Sequence, residues 1–310
     1  MLYETAKRAF AGLLALISFF VNLTSAPSRN DTPQDAVSVV YADTVWGDVK
    51  LFLPDEIDAR KPTDVLLMLH GGAWVSGGAR IFYGDCRAAV QAGYIAAAMN
   101  YDKIFNGADA ADMVREVGLA IAAVRAELEN RGLTPGKLIL AGHSAGAHIM
   151  LLYAYTQYRT CPMDIAFVVS NCAVADFMSD AKAHNSAVGF GAYALLSALT
   201  GEFITPATVG RNTEAIRAVA PIYQITPDVP PTIVVQGTRD RLINYQNSVD
   251  LYNALQENGV DSVHITYEGA GHFLTSKGGD SVKQKYAEYD AQRSAAFYAF
   301  AEKYGTPAVS

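Results

Sequence analysis

The sequence predicts an α/β chain: a mainly parallel central sheet with helices on both faces and a small cap insertion at one edge. Three observations lead there. Short apolar runs such as Val65–Leu69 alternate with longer stretches of helical spacing from residue 37 to the end. Several of these runs are apolar throughout rather than at every second residue, as strands buried on both faces require. At 310 residues, 51% hydrophobic and 18% charged, the chain can bury one large core.

The elements follow in order. Val37–Tyr41 and Val49–Leu53 read as two antiparallel strands joined by a turn at Gly47-Asp48. Val65–Leu69 is a strand running into His70-Gly71-Gly72. Tyr83–Ala92 reads as a helix closed by Gly93, and Tyr94–Met99 as the next strand. Asp112–Asn130 carries Val114, Val117, Ile121, Val124 and Leu128 at helical spacing, with Gly132 to stop it. Lys137–Ala141, Ile165–Ser170, Thr232–Gln236 and Val263–Tyr267 complete the strands. Helices are expected over Ala145–Thr156, Tyr245–Asn258 and Val282–Tyr304. Between residues 171 and 223 no strand pattern occurs, which places a cap of about residues 172–222 over the carboxyl edge of the sheet, where ligands bind in such folds.

Residues 1–26 differ in kind. Lys7 and Arg8 precede the apolar run Phe10–Val21, and small residues follow to Ala26, the pattern of a secretory signal. The run is shorter than the roughly 20 residues of a comfortable span. Glu4 and Pro27 weigh against cleavage, so an uncleaved membrane anchor is the second reading and a soluble amphipathic helix the third. The expected location is secreted or extracytoplasmic. Residues 27–36 are a linker and 37–310 the folded domain. A net charge of -7 and a pI near 5.4 argue against a nucleic-acid partner. Cys86, Cys161 and Cys172 have no metal-ligand spacing. One disulfide, with Cys161 and Cys172 nearest in sequence, and three buried thiols both stay open.

The chemistry gathers at strand ends. Gly142-His143-Ser144-Ala145-Gly146 joins a strand to a helix through a turn tight enough to need its glycines, with a serine hydroxyl at the apex. Serine attacks only when a base takes its proton. His272, in a glycine-rich loop after the last strand, is the candidate base; His264 within a strand and His184 within the insertion are poorer ones. Asp240, after the preceding strand, is the candidate orienting acid, ahead of Asp228, Asp250 and Glu268. His70-Gly71-Gly72-Ala73-Trp74 ends a buried strand, so the N–H groups of Gly71 and Gly72, with that of Ala145, are candidate oxyanion donors. His70 is expected to brace this loop, and His148 to be a satisfied buried histidine. Ala73, Trp74 and His143 are candidate substrate contacts, with plain burial the other reading of Trp74. Nothing in this set calls for a metal or a cofactor.

These motifs, with Asn100-Tyr101, resemble the α/β-hydrolases over most of the chain. The likeness is to carboxylesterases near the hormone-sensitive-lipase-like and feruloyl or acetyl-xylan esterase-like enzymes. The resemblance implies Ser144-Asp240-His272 as a triad acting on a small-molecule or carbohydrate-linked ester. Two departures stand out: Ala73 where lipase-like members often have glycine, and Asp102 where an arginine commonly follows the Asn-Tyr pair. The His-Gly-Gly-x-Trp form also resembles kynurenine formamidase, an aryl formamide hydrolase. A non-catalytic binding protein on the same scaffold is the reading of another class.

Overall fold

Eight apolar runs form eight strands of one sheet: β1 (Val37–Val40), β2 (Asp48–Phe52), β3 (Thr63–Leu69), β4 (Ile95–Met99), β5 (Pro135–His143), β6 (Ile165–Asn171), β7 (Thr232–Gly237) and β8 (Ser262–Tyr267). The structure, a computed structural model, describes residues 32–178, 187–275 and 278–307. Residues 1–31, with the expected signal or anchor, and His184 lie outside them. Among the described residues no helix is long and apolar enough to cross a membrane.

The strand order is β1-β2-β4-β3-β5-β6-β7-β8. β2 runs antiparallel to β1, as the early turn implied, and also to β4; every other pair is parallel. Helices α1 (Tyr83–Gln91), α2 (Ala110–Asn130), α3 (Ala145–Gln157), α4 (Ala187–Thr200), α5 (Thr213–Ala218), α6 (Tyr245–Glu257) and α7 (Asp280–Tyr304) complete the chain. Alternate residues of a strand point to opposite faces, and β3 shows the consequence. Val65, Leu67 and Leu69 join the core beneath α2, α3 and α6, while Leu66 and Met68 join a second core with Tyr83 of α1 and Phe300 of α7. This is the α/β-hydrolase architecture.

One boundary moves for a stated reason. The helix expected from Asp112 starts at Ala110, because Asp109 and Asp112 form a capping box: the Asp112 N–H donates to Asp109 Oδ1 at 2.9 Å and the Asp109 N–H to Asp112 Oδ2 at 3.4 Å. Acidic pairing, rather than apolar spacing, sets that terminus.

The topology also places the site. From β3 the chain crosses to β4 on one side, then returns to β5 on the other, so the loops after β3 and β5 diverge at a switch point of the sheet. His70–Trp74 and Ser144 lie on those two loops. The chain leaving β6 for the cap is clamped by Asn247, a fully buried residue of α6. Its Oδ1 accepts from the Ala175 and Asp176 N–H groups, and its Nδ2 donates to the Asp176 carbonyl. In the expected cap, the described residues hold α4, α5 and two short 3-10 turns, and no strand.

Candidate active site

Ser144 separates β5 from α3 with φ 56° and ψ −123°, a conformation that costs a non-glycine residue of order 1–3 kcal/mol. The close approach of strand and helix enforces it. A methyl group at Gly146 would stand 2.1 Å from the Leu69 carbonyl oxygen, and one at Gly142 2.6 Å from the Ala147 nitrogen. The Ser144 N–H donates to the Asn171 carbonyl at 2.9 Å, and Asn171 Nδ2 donates to the Gly142 carbonyl at 2.9 Å, so β6 holds the turn. Ala145 is the first residue of α3, where an N–H has no partner within the helix and carries the positive end of its dipole.

The loops after β7 and β8 bring Asp240 and His272 together. His272 Nδ1 donates to Asp240 Oδ2 at 2.7 Å. The same oxygen accepts from Gln236 Nε2 at 2.8 Å, while Oδ1 accepts from the Leu242 and Ile243 N–H groups at 2.8 and 3.0 Å. Burial alone would raise the Asp240 carboxyl. The hydrogen bond from His272 and the two backbone donors outweigh that and hold it below the usual range. With Nδ1–H committed to a carboxylate, the neutral ring carries its lone pair on Nε2. That atom is buried and has no hydrogen-bond partner among the described residues. The acids read as alternatives are elsewhere: Asp228 pairs with Arg159, Glu268 with Lys285, and Asp250 accepts from Gln246. His264 meets Ser248.

His143 and Trp74, two of the candidate substrate contacts, make contacts within the frame. His143 Nε2 donates to the His272 carbonyl at 2.8 Å, tying the serine turn to the histidine loop, and its ring stacks on Phe273. Burial, then the nearby His272, lowers its pKa to about 4, so the ring is a neutral strut. Trp74 is buried, with Nε1 donating to His148 Nδ1 at 3.1 Å and its rings packed on His148 and Phe177. The Trp74 indole N–H and His143 Nε2 are both taken by protein groups. Ala73 stays at the loop apex, partly buried, with φ 52°.

His148 must be neutral to do this, since Nδ1 accepts from Trp74 while Nε2 donates to the Val219 carbonyl at 2.7 Å. Complete burial lowers its pKa to about 4 from an ordinary 6.5. Between those values the unfolded chain binds more protons, so stability present above pH 6.5 is lost as pH falls toward 4. About 2 kcal/mol should be gone by pH 5 from this residue alone. Urea midpoints at pH 7 and pH 5 measure it. His148→Gln cannot titrate, and its midpoint should fall less; an equal fall in both proteins would remove His148 as the cause.

His70 braces its loop as expected, with Nδ1 donating to the Gly71 carbonyl at 2.7 Å. The brace that Asp102 left in question is supplied one residue later, by Lys103. Cys86, Cys161 and Cys172 are all free thiols. Cys172, with φ 52° at the end of β6, places its sulfur with ring nitrogens of His143 and His272 in a group spanning no more than 4.8 Å. Burial, then the Asp240 charge, pushes that thiol up. The trio lies beside the His272–Asp240 pair, at or just beyond the carboxyl ends of β5, β6 and β8. Lys103, Asn247 and Cys172 escaped sequence reasoning, because none belongs to a motif and each meets its partner only through the sheet order.

Comparison with known proteins bears on the family and the fold. A protein-family model described as BD-FAE matches residues 49–255. Esterase LipC of Mycobacterium tuberculosis is 26% identical over 225 residues, 68% of this chain and 53% of that protein. The chain spans about half the length of the curated relatives it matches first. Among solved structures, a truncated carbohydrate esterase from gut microbiota superposes with a TM-score of 0.65 at 18% identity, over 86% of this chain and 99% of that one. The propionate-bound esterase Est2 of Thermogutta terrifontis gives 0.64 at 22%, over 85% and 95%.

Proposed function

The chain belongs to the BD-FAE family, and from that footing we propose that it is a serine esterase using Ser144, His272 and Asp240. The observation that carries the reading is the 2.7 Å His272–Asp240 bond, which leaves the unpartnered Nε2 lone pair for a serine held on a strained turn at the same sheet edge. Ser144 Oγ attacks the ester carbonyl as Nε2 takes its proton. Asp240 keeps the ring in this tautomer and stabilises the imidazolium. The N–H groups of Gly71, Gly72 and Ala145 receive the oxyanion. His272 then protonates the leaving alcohol, and water repeats the sequence to free the acid. The named esterase relative supports ester hydrolysis, and the sequence resemblance supports a small acyl or carbohydrate-linked ester as substrate class.

The purified chain should hydrolyse p-nitrophenyl acetate or butyrate and take a fluorophosphonate label at Ser144. Folded protein that does neither refutes the reading. N-Formylkynurenine turned over in preference to acetyl and feruloyl esters would replace ester by aryl formamide as the substrate. Export belongs to the same proposal: mature protein recovered outside the cytoplasm and beginning at Pro27 would support a cleaved signal over residues 1–26.

A further inference from the structure

Lys103 is an unusual place for an amine. Its side chain is buried, with Nζ 3.5 Å from the centre of the Tyr101 ring and 4.6 Å from that of Trp46. Nζ donates to the Tyr101 carbonyl at 2.6 Å and lies 3.1 Å from His70 Nε2. His70 is itself buried, stacked on Tyr101 at 4.6 Å, with Nδ1 2.7 Å from the Gly71 carbonyl oxygen. A carbonyl only accepts, so Nδ1 carries the hydrogen. Burial keeps the His70 ring neutral, so Nε2 is bare and Lys103 is the donor to it. Two donations need only two N–H bonds, and an uncharged amine suffices. Burial drives Lys103 in that direction, against the pull of Glu116 and Asp102.

The relay has a consequence at the peptide it ends on. In a trans peptide the C=O of Gly71 and the N–H of Gly72 point to opposite sides. A carbonyl drawn toward His70 therefore turns the Gly72 N–H away from His70. The loop needs such a hold, because Gly72, Ala73 and Trp74 all have positive φ (130°, 52° and 60°). We propose that Lys103 is a positioning residue of the oxyanion site, fixing the tautomer of His70 and through it the orientation of the Gly71–Gly72 peptide. Without the Lys103 donor, His70 is free to carry its hydrogen on Nε2, which would set a bare Nδ1 against the Gly71 carbonyl and release the peptide.

This inference rests on the esterase reading, and its tests separate the two. In the wild-type protein, long-range 1H–15N spectra should show His70 as the Nδ1–H tautomer, assigned by its loss in His70→Asn. An Nε2–H tautomer overturns the proposal without any variant having to fold. Lys103→Met should lower kcat about 10–100-fold, up to the loss of one oxyanion donor, with KM nearly unchanged. A trifluoromethyl ketone, which mimics the tetrahedral state, should bind more weakly by the same factor. The double variant Lys103→Met/His70→Asn should recover most of that loss, since an asparagine amide donates to Gly71 in no tautomer-dependent way. A purely structural lysine would move Tm and leave the kcat-to-KM split and the rescue absent, which also overturns the proposal. Wild-type protein that neither turns over esters nor labels at Ser144 fails the esterase reading, while the tautomer measurement still tests the relay.

Discussion

Replacing Ser144 by alanine is expected to lower kcat on p-nitrophenyl acetate by about 10⁵–10⁶-fold. The size follows from what remains. The donors at Gly71, Gly72 and Ala145 and the bound ester are untouched, so KM should change little and a residual rate above water should persist. No hydrogen bond of the Ser144 hydroxyl holds the fold together among the described residues. The backbone conformation, φ 56° and ψ −123°, is one alanine adopts no worse than serine. Tm should therefore stay near wild type, and circular dichroism and a melting curve confirm that the loss is chemical. Adding His272→Ala to Ser144→Ala should cost almost nothing more, because the base has no proton to take once the hydroxyl is gone. A Ser144→Ala protein with several per cent of wild-type rate, free of contaminating esterase, would remove Ser144 as nucleophile.

That prediction needed only the sequence, and the reason is physical. A serine flanked by glycines two residues away on each side, between an apolar run and a helix, leaves the backbone few other courses. The eight strands were legible for a similar reason: apolar runs of four to seven residues have nowhere to go but a covered sheet. Asp240 and His272 were legible through chain order, since each follows a strand and parallel strands end on one edge.

What stayed hidden lies between elements. His143 reads as a substrate contact because it neighbours Ser144, yet its ring spans to the carbonyl of His272, 129 residues on. Trp74 reads as a pocket wall or a plainly buried aromatic, and neither reading foresees that its indole N–H finds His148 one helical turn beyond the serine. Lys103 follows a position where a resemblance suggested a missing arginine, and the turn after Tyr101 carries its amine back to His70. Each contact depends on a loop course that apolar periodicity does not encode. Asn247 is hidden more deeply, since a polar residue on an amphipathic helix reads as solvated until the cap chain is seen to pass over it.

Replacing Asp240 by asparagine should lower kcat about 10⁴-fold near neutral pH while the protein stays folded. The hydrogen bonds around the carboxylate decide how the amide must sit. Oδ1 faces the N–H groups of Leu242 and Ile243, two backbone donors that cannot turn, so the asparagine oxygen takes that side. Its NH₂ then falls where Oδ2 was, against Gln236 Nε2 and His272 Nδ1. Gln236 can rotate, because its buried Oε1 lacks a partner and would gain one, at the cost of the 3.3 Å bond from its Nε2 to the Ile243 carbonyl. His272 can accept from the new amide only by moving its hydrogen from Nδ1 to Nε2. These adjustments leave one long bond, that to the Ile243 carbonyl, unmade, so Tm should fall only modestly. Asp240→Ala, by contrast, strands the two backbone N–H groups and should melt earlier. The adjusted imidazole presents an N–H to Ser144 where the reaction needs a lone pair, and the base is lost without any change in position. The tautomer of His272, read by 1H–15N spectra in Asp240→Asn, should switch as kcat collapses. A variant that keeps the Nδ1–H form, or more than about a tenth of the wild-type rate, would show that Asp240 does not set the state of His272.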